Sequence, residues 1–167
     1  PAAPDAWITV LQNYGTMSFG EVASSAIKYA REGITVHPTM SKFLSRYQEN
    51  YRMWPSNSNI WQKNGHPLEV GDLLIQTDLA ASIQFMADQE AAAMKDGREK
   101  GLQAARDAFY VGDIASKIVK YHKENGGLMT ADDMASYATP IEKPLSINFR
   151  GTEVYSCRPW CQGPVLL

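Results

Sequence analysis

The stretch "YGTMSFGEVASSAIKYAREG", from Tyr14 to Gly33, contains signals for both ends of one helix. Ser18 followed by Glu21 has the spacing of a capping box, in which the serine hydroxyl accepts from an unpaired helix N–H and the glutamate reaches back to the cap. Gly33 provides a C-terminal stop. Between these ends, apolar residues recur at helical spacing at Val22, Ala26, Ile27 and Ala30. The sequence therefore predicts an amphipathic helix that packs by this face.

Further helices are predicted along the chain from the same signals. Their expected starts lie near Pro38 or Thr39, at Thr77 or Asp78, before Leu102, at Asp113 and at Thr130. Their apolar positions include Phe43, Leu44, Tyr47, Leu79, Ile83, Met86, Ala87, Met94, Ala105, Phe109, Ile114, Ile118, Val119, Tyr121 and Met134. Gly97 and the pair Gly126 and Gly127 are expected to end two of them. Most of the chain is therefore predicted to be helical.

Two segments have a different pattern. Residues 54–67, "WPSNSNIWQKNGHP", are rich in Asn, Ser, Pro and Gly and contain an Asn-Gly turn, so they are interpreted as a loop or a small hairpin. In residues 144–157, Leu145, Ile147 and Phe149 alternate with polar residues, and Arg150 with Gly151 are typical of a turn into a second strand. The predicted fold class is mainly α, with an orthogonal helical lobe over residues 1–140 followed by a short β-hairpin and a truncated further element over residues 141–167.

Composition and charge exclude several classes of partner. The 167 residues carry a formal net charge of −2, and Lys and Arg are scattered among Asp and Glu. Because no basic stripe or patch is present, neither nucleic acid nor an anionic membrane surface is an expected partner. No apolar run approaches the roughly 20 residues that a membrane-spanning helix requires. The chain is therefore expected to form one ordinary globular domain, or one lobe of a larger one.

The sequence contains few residues arranged for chemistry. His37, His66 and His122 stand alone, so each is interpreted as structural or exposed. The only cysteines, Cys157 and Cys161, lack the further ligands that a tetrahedral metal site needs. A disulfide between them is possible in an oxidising compartment, and two buried thiols are the favoured interpretation. We predict no catalytic residue, no metal and no cofactor in this chain.

Aromatic residues cluster in the middle of the chain. Trp54 and Trp61 flank the Asn-rich segment, and Tyr47, Tyr51 and Arg52 precede it. Such a mixture is typical of a substrate cleft or of an interface. Packing of the segment onto the helices is the favoured alternative, because tryptophan is well buried on average. The sequence leaves both interpretations open.

Four runs resemble the heavy chain of the gamma-glutamyltransferase (gamma-glutamyltranspeptidase) family. They are residues 14–33, 70–83 ("VGDLLIQTDLAASI"), 109–119 ("FYVGDIASKIV") and 126–137 ("GGLMTADDMASY"). The matching residues are Tyr14, Gly15, Phe19, Ala30, Arg31, Gly33, Gly71, Asp72, Gln76, Leu79, Ala80, Phe109, Tyr110, Gly112, Ile114, Ala115, Gly126, Gly127, Thr130, Asp133, Ala135 and Tyr137. Order and spacing agree over nearly the whole chain.

The last part of the chain both matches this family and departs from it. In "RGTEVYSCRPWCQGP", residues 150–164, five positions agree with the family pattern, namely Arg150, Gly151, Val154, Pro159 and Gly163. Four others replace its Pro, Ser, Ser and Gly, namely Trp160, Cys161, Gln162 and Pro164. The chain then stops after Val165, Leu166 and Leu167, which look like the first turn of another element. These departures leave the substrate open and favour a branch away from the main glutathione-cleaving members.

The resemblance implies an N-terminal nucleophile hydrolase with an αββα core, made as a proenzyme that cuts itself. The partner would be a light subunit whose new N-terminal Thr is nucleophile and base together, and the substrate a gamma-glutamyl or related acyl amide. The segment alone would be inactive, because the nucleophile lies beyond it. A divergent acylase of the same family and a non-catalytic scaffold remain alternatives, and the compartment, cytoplasmic or periplasmic and secreted, stays open. The cleft candidates are Trp54, Trp61, Cys161 and Gln162.

Overall fold

The computed structural model describes residues 1–167 and is mostly helical, with a few short strands. The helices are α1 Ala3–Tyr14, α2 Phe19–Glu32, α3 Pro38–Arg46, α4 Gln48–Arg52, α5 Pro55–Trp61, α6 Thr77–Ala93, α7 Arg98–Tyr110, α8 Asp113–Glu124, α9 Ala131–Ser136 and α10 Gly163–Leu166. A 3₁₀ turn, Met94–Asp96, follows α6. The strands are β1 Ile34–Thr35, β2 Gln62–Lys63, β3 His66–Pro67, β4 Leu73–Leu74, β5 Leu145–Phe149 and β6 Thr152–Ser156. They pair antiparallel as β1 with β4, β2 with β3, and β5 with β6.

The chain divides into two compact units, Pro1–Tyr137 and Ala138–Leu167. The first contains α1 to α9 and the four shortest strands, and the second contains the β5–β6 hairpin and α10. No helix in either unit combines the length and the apolar character required to cross a bilayer.

Helix α2 has the predicted ends but a different buried face. The Ser18 hydroxyl accepts from the Glu21 backbone N–H, and the Glu21 carboxylate accepts from the Ser18 N–H, so the capping box is confirmed. The expectation that Val22 and Ala26 are core residues is wrong, because both are exposed. The buried positions are Phe19, Ala23 and Ile27, which follow at i, i+4 and i+8 and form one stripe on the helix.

That stripe belongs to the largest core cluster of the first unit. The cluster joins buried residues of α1, α2, α6 and α7, namely Ile8, Phe19, Ala23, Ile27, Met86, Ala87, Leu102, Ala105 and Ala108. Helix α1 is absent from the sequence prediction, although it contributes Ile8 with no exposed surface. The predicted cap of α6 by Thr77 or Asp78 is also wrong. Gln76 precedes the helix without a side-chain cap, and its backbone N–H donates to the Ala30 carbonyl at 2.8 Å.

The segment interpreted as a loop contains a helix. Pro55 occupies the first turn of α5, where its missing N–H costs no hydrogen bond, and the helix continues to Trp61. The predicted Asn-Gly turn is confirmed, because Asn64 and Gly65 have φ angles of 53° and 79° between β2 and β3. A second core cluster of Val36, Leu44, Leu68 and Leu74 lies beside it. Of the predicted α3 positions only Leu44 is buried, whereas Phe43 and Tyr47 are exposed and stack on each other.

The later elements agree with prediction more closely. Helix α9 begins with the predicted Thr130–Asp133 capping box, and Met134 joins Tyr110 and Ala115 in a third core cluster. In the second unit, β5 and β6 form the predicted hairpin around Arg150 and Gly151, both of which have positive φ angles. The expectation of buried thiols is wrong: both cysteines are unpaired, with Cys157 exposed and Cys161 partly exposed. Neither belongs to a core cluster, because all buried residues of the three clusters come from the first unit.

Candidate functional site

The family-like residues Gly71 and Asp72 fix the backbone between the small hairpin and β4. Gly71 has a φ angle of 95°, a conformation that favours glycine. The Asp72 carboxylate accepts from Lys63 Nζ at 2.7 Å and from the Glu69 N–H at 2.9 Å. These hydrogen bonds lower the pKa of Asp72, and the hydrogen bond to Asp72 raises the pKa of Lys63. The motif therefore has a structural explanation, the attachment of one loop to another.

The family-like residues Tyr110 and Tyr137 form part of a polar network with α1. Arg106 forms an ion pair with Asp5 and donates to the Tyr137 carbonyl, and its guanidinium lies 4.9 Å from the centre of the Tyr110 ring. The Tyr110 hydroxyl accepts from the Asp5 N–H at 3.1 Å and donates to the Pro1 carbonyl at 2.7 Å. Burial raises the pKa of Tyr110 because it disfavours the phenolate. The network connects α1 and α7 with Tyr137, the residue that follows α9.

Glu90 is a buried carboxylate that sequence reasoning missed. Its side chain is 2% exposed, and its two oxygens accept from the Phe19 and Gly20 backbone N–H groups, each at 2.8 Å. Glu90 therefore satisfies two of the N–H groups that the first turn of α2 leaves unpaired. The available signal was its position four residues after Met86, on the same face of α6 as buried apolar residues.

Trp54 and Trp61, two of the predicted cleft residues, have different environments at the two ends of α5. Trp54 is the residue before the helix and is 45% exposed. Trp61 packs against the second core cluster, and its ring centre lies 5.9 Å from that of Tyr51. No ring contact joins the two tryptophans. Trp54 is therefore the more exposed of these two cleft candidates.

Cys161 and Gln162, the other predicted cleft residues, lie in the second unit between β6 and α10. Cys161 is partly exposed and Gln162 is exposed. The Gly163 N–H donates to Cys161 Sγ at 3.3 Å. In the same loop, Trp160 is 72% exposed and its indole N–H donates to the Glu142 carboxylate at 2.8 Å. A groove of about 380 Å³ beside this loop is lined by Glu142, Lys143, Pro144, Tyr155, Ser156, Cys157, Arg158 and Trp160.

Where the structure brings a hydroxyl to a carboxylate, the pair lies at a helix start, as with Ser18 and Glu21 before α2 and Thr130 and Asp133 before α9. His37 caps α3, since its Nδ1 accepts from the Met40 N–H at 3.3 Å. No three His, Cys, Asp or Glu side chains lie together in the way that a metal ion requires. Asp133, which the sequence already placed at a helix start, accepts from the Thr130 hydroxyl and N–H. Asp72, Tyr110 and the Thr130–Asp133 pair, which belong to the family pattern, thus stabilise the fold.

Comparisons with a family model and with curated proteins both point to the family that the sequence resembles. The family model described as Gamma-glutamyltranspeptidase matches residues 1–167. The glutathione hydrolase proenzyme of Escherichia coli (strain K12) is 34% identical over 156 residues, which are 93% of this chain and 24% of that protein. The acylase ACY 1 proenzyme of Pseudomonas sp. (strain SE83) is 28% identical over 159 residues, which are 95% of this chain and 26% of that protein.

A solved structure supports the same assignment. The crystal structure of Helicobacter pylori gamma-glutamyltranspeptidase aligns with a TM-score of 0.79 and 26% identity, over 93% of this chain and 40% of that one. The chain spans about a quarter of the length of the two curated relatives. Because the family model covers every described residue, the chain belongs to the gamma-glutamyltranspeptidase family.

Proposed function

We propose that this chain is a heavy-subunit segment of a gamma-glutamyltransferase-like enzyme that transfers or hydrolyses a gamma-glutamyl or related acyl amide. The observation that carries the proposal is the match of the family model to residues 1–167. In this proposal the segment belongs to an αββα N-terminal nucleophile hydrolase. Its helical unit braces the catalytic part of the longer protein.

The chemistry assigned to the longer protein suits an amide substrate. An N-terminal threonine has a hydroxyl that attacks the carbonyl carbon and an α-amine that takes the hydroxyl proton. That residue would be created when the proenzyme cuts itself, and it would lie on a light subunit that binds this segment. The networks around Asp72, Glu90 and Arg106 support a bracing role, because their polar groups are occupied by structural hydrogen bonds.

An acylase acting on a different acyl group is the second candidate function. Residues 160–164 favour it, because Trp160, Cys161, Gln162 and Pro164 stand where the family pattern has Pro, Ser, Ser and Gly. The similarity to the Pseudomonas acylase proenzyme adds support. Two anilide substrates distinguish the two candidate functions. One is gamma-glutamyl anilide, and the other is its glutaryl analogue, which lacks the α-amine. Preference for the glutaryl compound would support the acylase.

Autoprocessing is tested by the intact mass and N-terminal sequences of the purified full-length gene product. Two polypeptides, the second beginning with Thr, Ser or Cys, are expected for an N-terminal nucleophile enzyme. A single uncut chain with no such residue would contradict the proposal and favour a non-catalytic scaffold.

Trp54 and Trp61 provide a test of the cleft wall in the same full-length protein. We propose that Trp54 contacts the acyl group, since it is the more exposed of the two. Trp54→Ala is therefore expected to change the ratio of kcat/KM values for the two anilides. Trp61→Phe is the control and is expected to lower the melting temperature while keeping that ratio. A ratio unchanged by Trp54→Ala would remove Trp54 from the cleft.

A further inference from the structure

Cys157 and Cys161, the only cysteines of the chain, lie in one loop that folds back on itself. The Cys161 N–H donates to the Arg158 carbonyl at 3.2 Å, which closes a turn. Gly163 then lies against the backbone of Cys157: a Cβ atom on Gly163 would be 2.8 Å from the Cys157 carbonyl oxygen and 3.0 Å from its nitrogen. The Gly163 N–H also donates to Cys161 Sγ at 3.3 Å. Gly163 therefore packs against the backbone of Cys157 and donates a hydrogen bond to the side chain of Cys161.

The two thiols interact with each other in the reduced state. A hydrogen bond between the side chains of Cys157 and Cys161 favours the neutral form of Cys157 and raises its pKa. Cys157 is exposed, so a reagent in solution can reach its sulfur directly. Cys161 is less exposed than Cys157. An accessible thiol thus stands beside a second thiol that can resolve a mixed disulfide. Because the pKa of Cys157 is raised, its attack is fastest at alkaline pH.

The surroundings of Cys157 favour a small reagent that carries carboxylates. Cys157 lines the groove of about 380 Å³, together with the cationic side chains of Lys143 and Arg158. Glu142 also lines the groove, and its carboxylate is partly satisfied because it accepts from the Trp160 indole N–H at 2.8 Å. The cations therefore outnumber the carboxylates at this surface, which attracts an anionic peptide disulfide.

We propose that Cys157 and Cys161 form a reversible disulfide by exchange with a small peptide disulfide of the glutathione class. The Cys157 thiolate attacks one sulfur of that disulfide, a mixed disulfide forms, and one peptide thiolate leaves. The Cys161 thiolate then attacks the Cys157 sulfur and expels the second peptide thiolate. Two protein thiols are oxidised, one small disulfide is reduced to two thiols, and the two protein protons end on the leaving thiolates. Thiol–disulfide exchange of this kind needs no other reactant.

The bond would change the loop more than the rest of the molecule. It would close a ring that contains Arg158, Pro159 and Trp160, and so restrict the exposed indole. Because Cys157 is at the surface, the disulfide is accessible to reductants, and exposed disulfides are typically the easily reduced, regulatory ones. The predicted property is therefore a switch set by the thiol–disulfide balance of the surroundings.

The test is a redox titration of the full-length protein with mixtures of glutathione and glutathione disulfide. Acid quenching, alkylation of free thiols and peptide mass mapping follow. The peptide that contains both cysteines is expected to lose two hydrogen atoms as the disulfide fraction rises, to keep no glutathione, and to recover on treatment with dithiothreitol. Alkylation of both thiols at every ratio would overturn the proposal. So would a stable glutathione adduct on Cys157 beside a free Cys161.

Two variants identify the order of the steps. Cys161→Ala is expected to accumulate one glutathione on Cys157, because no second thiol can expel it. Cys157→Ala is expected to react several-fold more slowly than the Cys161→Ala variant, because the remaining thiol is less exposed. Equal adduct levels in the wild type and in Cys161→Ala would show that Cys161 does not resolve the mixed disulfide, and would contradict the proposal.

The pH dependence of alkylation tests the contact between the thiols. Since the pKa of Cys157 is raised, its thiolate forms at higher pH than that of an ordinary cysteine. The rate of Cys157 alkylation in the reduced wild type is therefore expected to rise at higher pH than in Cys161→Ala. Identical pH profiles would show that the two thiols do not interact in the reduced protein, and would contradict their proposed pairing.

The role of charge is tested with one further substitution. Arg158→Gln is expected to lower the rate of exchange with anionic glutathione disulfide several-fold, and to leave the rate with uncharged hydroxyethyl disulfide unchanged. Equal effects on both reagents would contradict recognition of a carboxylate-bearing disulfide.

Discussion

A single buried side chain, Glu90, connects α6 to the start of α2. Both carboxylate oxygens accept backbone N–H groups at 2.8 Å, and a glutamine can present only one acceptor oxygen. Glu90→Gln would therefore place an NH₂ group against a backbone donor. We expect it to lower the free energy of unfolding by about 2 kcal/mol, the scale of a hydrogen bond to a charged group. Urea unfolding at neutral pH measures the change.

Glu124→Gln is the matched control for Glu90→Gln. It removes the same charge from an exposed position, where Glu124 forms only a 3.9 Å pair with Lys120. Exposed pairs of this kind contribute about 0–1 kcal/mol. If both variants were destabilised equally, the loss would come from net charge, and the assigned role of Glu90 would be wrong.

The start of α2 shows which side-chain contacts could be predicted from the sequence and which could not. The Ser18–Glu21 box was predictable because its partners are three residues apart and the pattern is local. Glu90 was not, because it is 71 residues from Phe19 and no local pattern shows which N–H groups it serves. Trp61 was an open choice between packing and a cleft, and its contact with Tyr51 and the second core cluster favours packing.

We expect the stability of helix α9 to depend on the ionised carboxylate of Asp133, the acidic member of its capping box. Asp133 accepts from the Thr130 hydroxyl and N–H, and these hydrogen bonds lower its pKa. A lowered pKa means stabilisation that is present above the ordinary carboxyl pKa and is lost as the pH falls through the folded-state value. We therefore expect Asp133→Asn to be less stable than the wild type at neutral pH and nearly equal to it in acid. Unfolding curves across this pH range measure the difference.

Asp132→Asn controls for charge near the start of α9. Asp132 lies in the same first turn and is exposed, so its substitution changes the interaction with the helix dipole without removing the capping box. Its stability difference from the wild type is expected to be smaller at neutral pH. A difference for Asp133→Asn that did not shrink in acid would show that the Asp133 carboxylate is not the stabilising group.

Elements were predictable where caps, glycine stops and apolar spacing agreed, as in α2, α9 and the β5–β6 hairpin. Helix α5 was missed because "PSNSN" has a composition typical of loops. Pro55 and packing of Ile60 and Trp61 on the second cluster override that weak local preference. The exposed side of α2 was mistaken for its core side because Val22 and Ala26 are also apolar.

At the scale of the whole molecule, the family could be identified from residues that shape the backbone, such as Gly71, Asp72 and Tyr110. The substrate could not, because the Asp72 carboxylate and the Tyr110 hydroxyl are held by hydrogen bonds within the fold. The chemistry of an enzyme depends on residues brought together from distant segments, and this chain spans about a quarter of its curated relatives.

The proposed roles of the heavy-subunit segment and the light subunit predict how activity depends on the rest of the protein. The chain of residues 1–167, expressed alone, is expected to release no aniline from gamma-glutamyl or glutaryl anilide, because the proposed N-terminal nucleophile lies on the light subunit. The full-length product is expected to be active after cleavage, and replacement of its new N-terminal residue by alanine to abolish both cleavage and activity. Circular dichroism of the separate chain checks that lost activity is not lost folding. Turnover by a folded residue 1–167 chain would require a nucleophile within this segment and would refute the support role proposed for it.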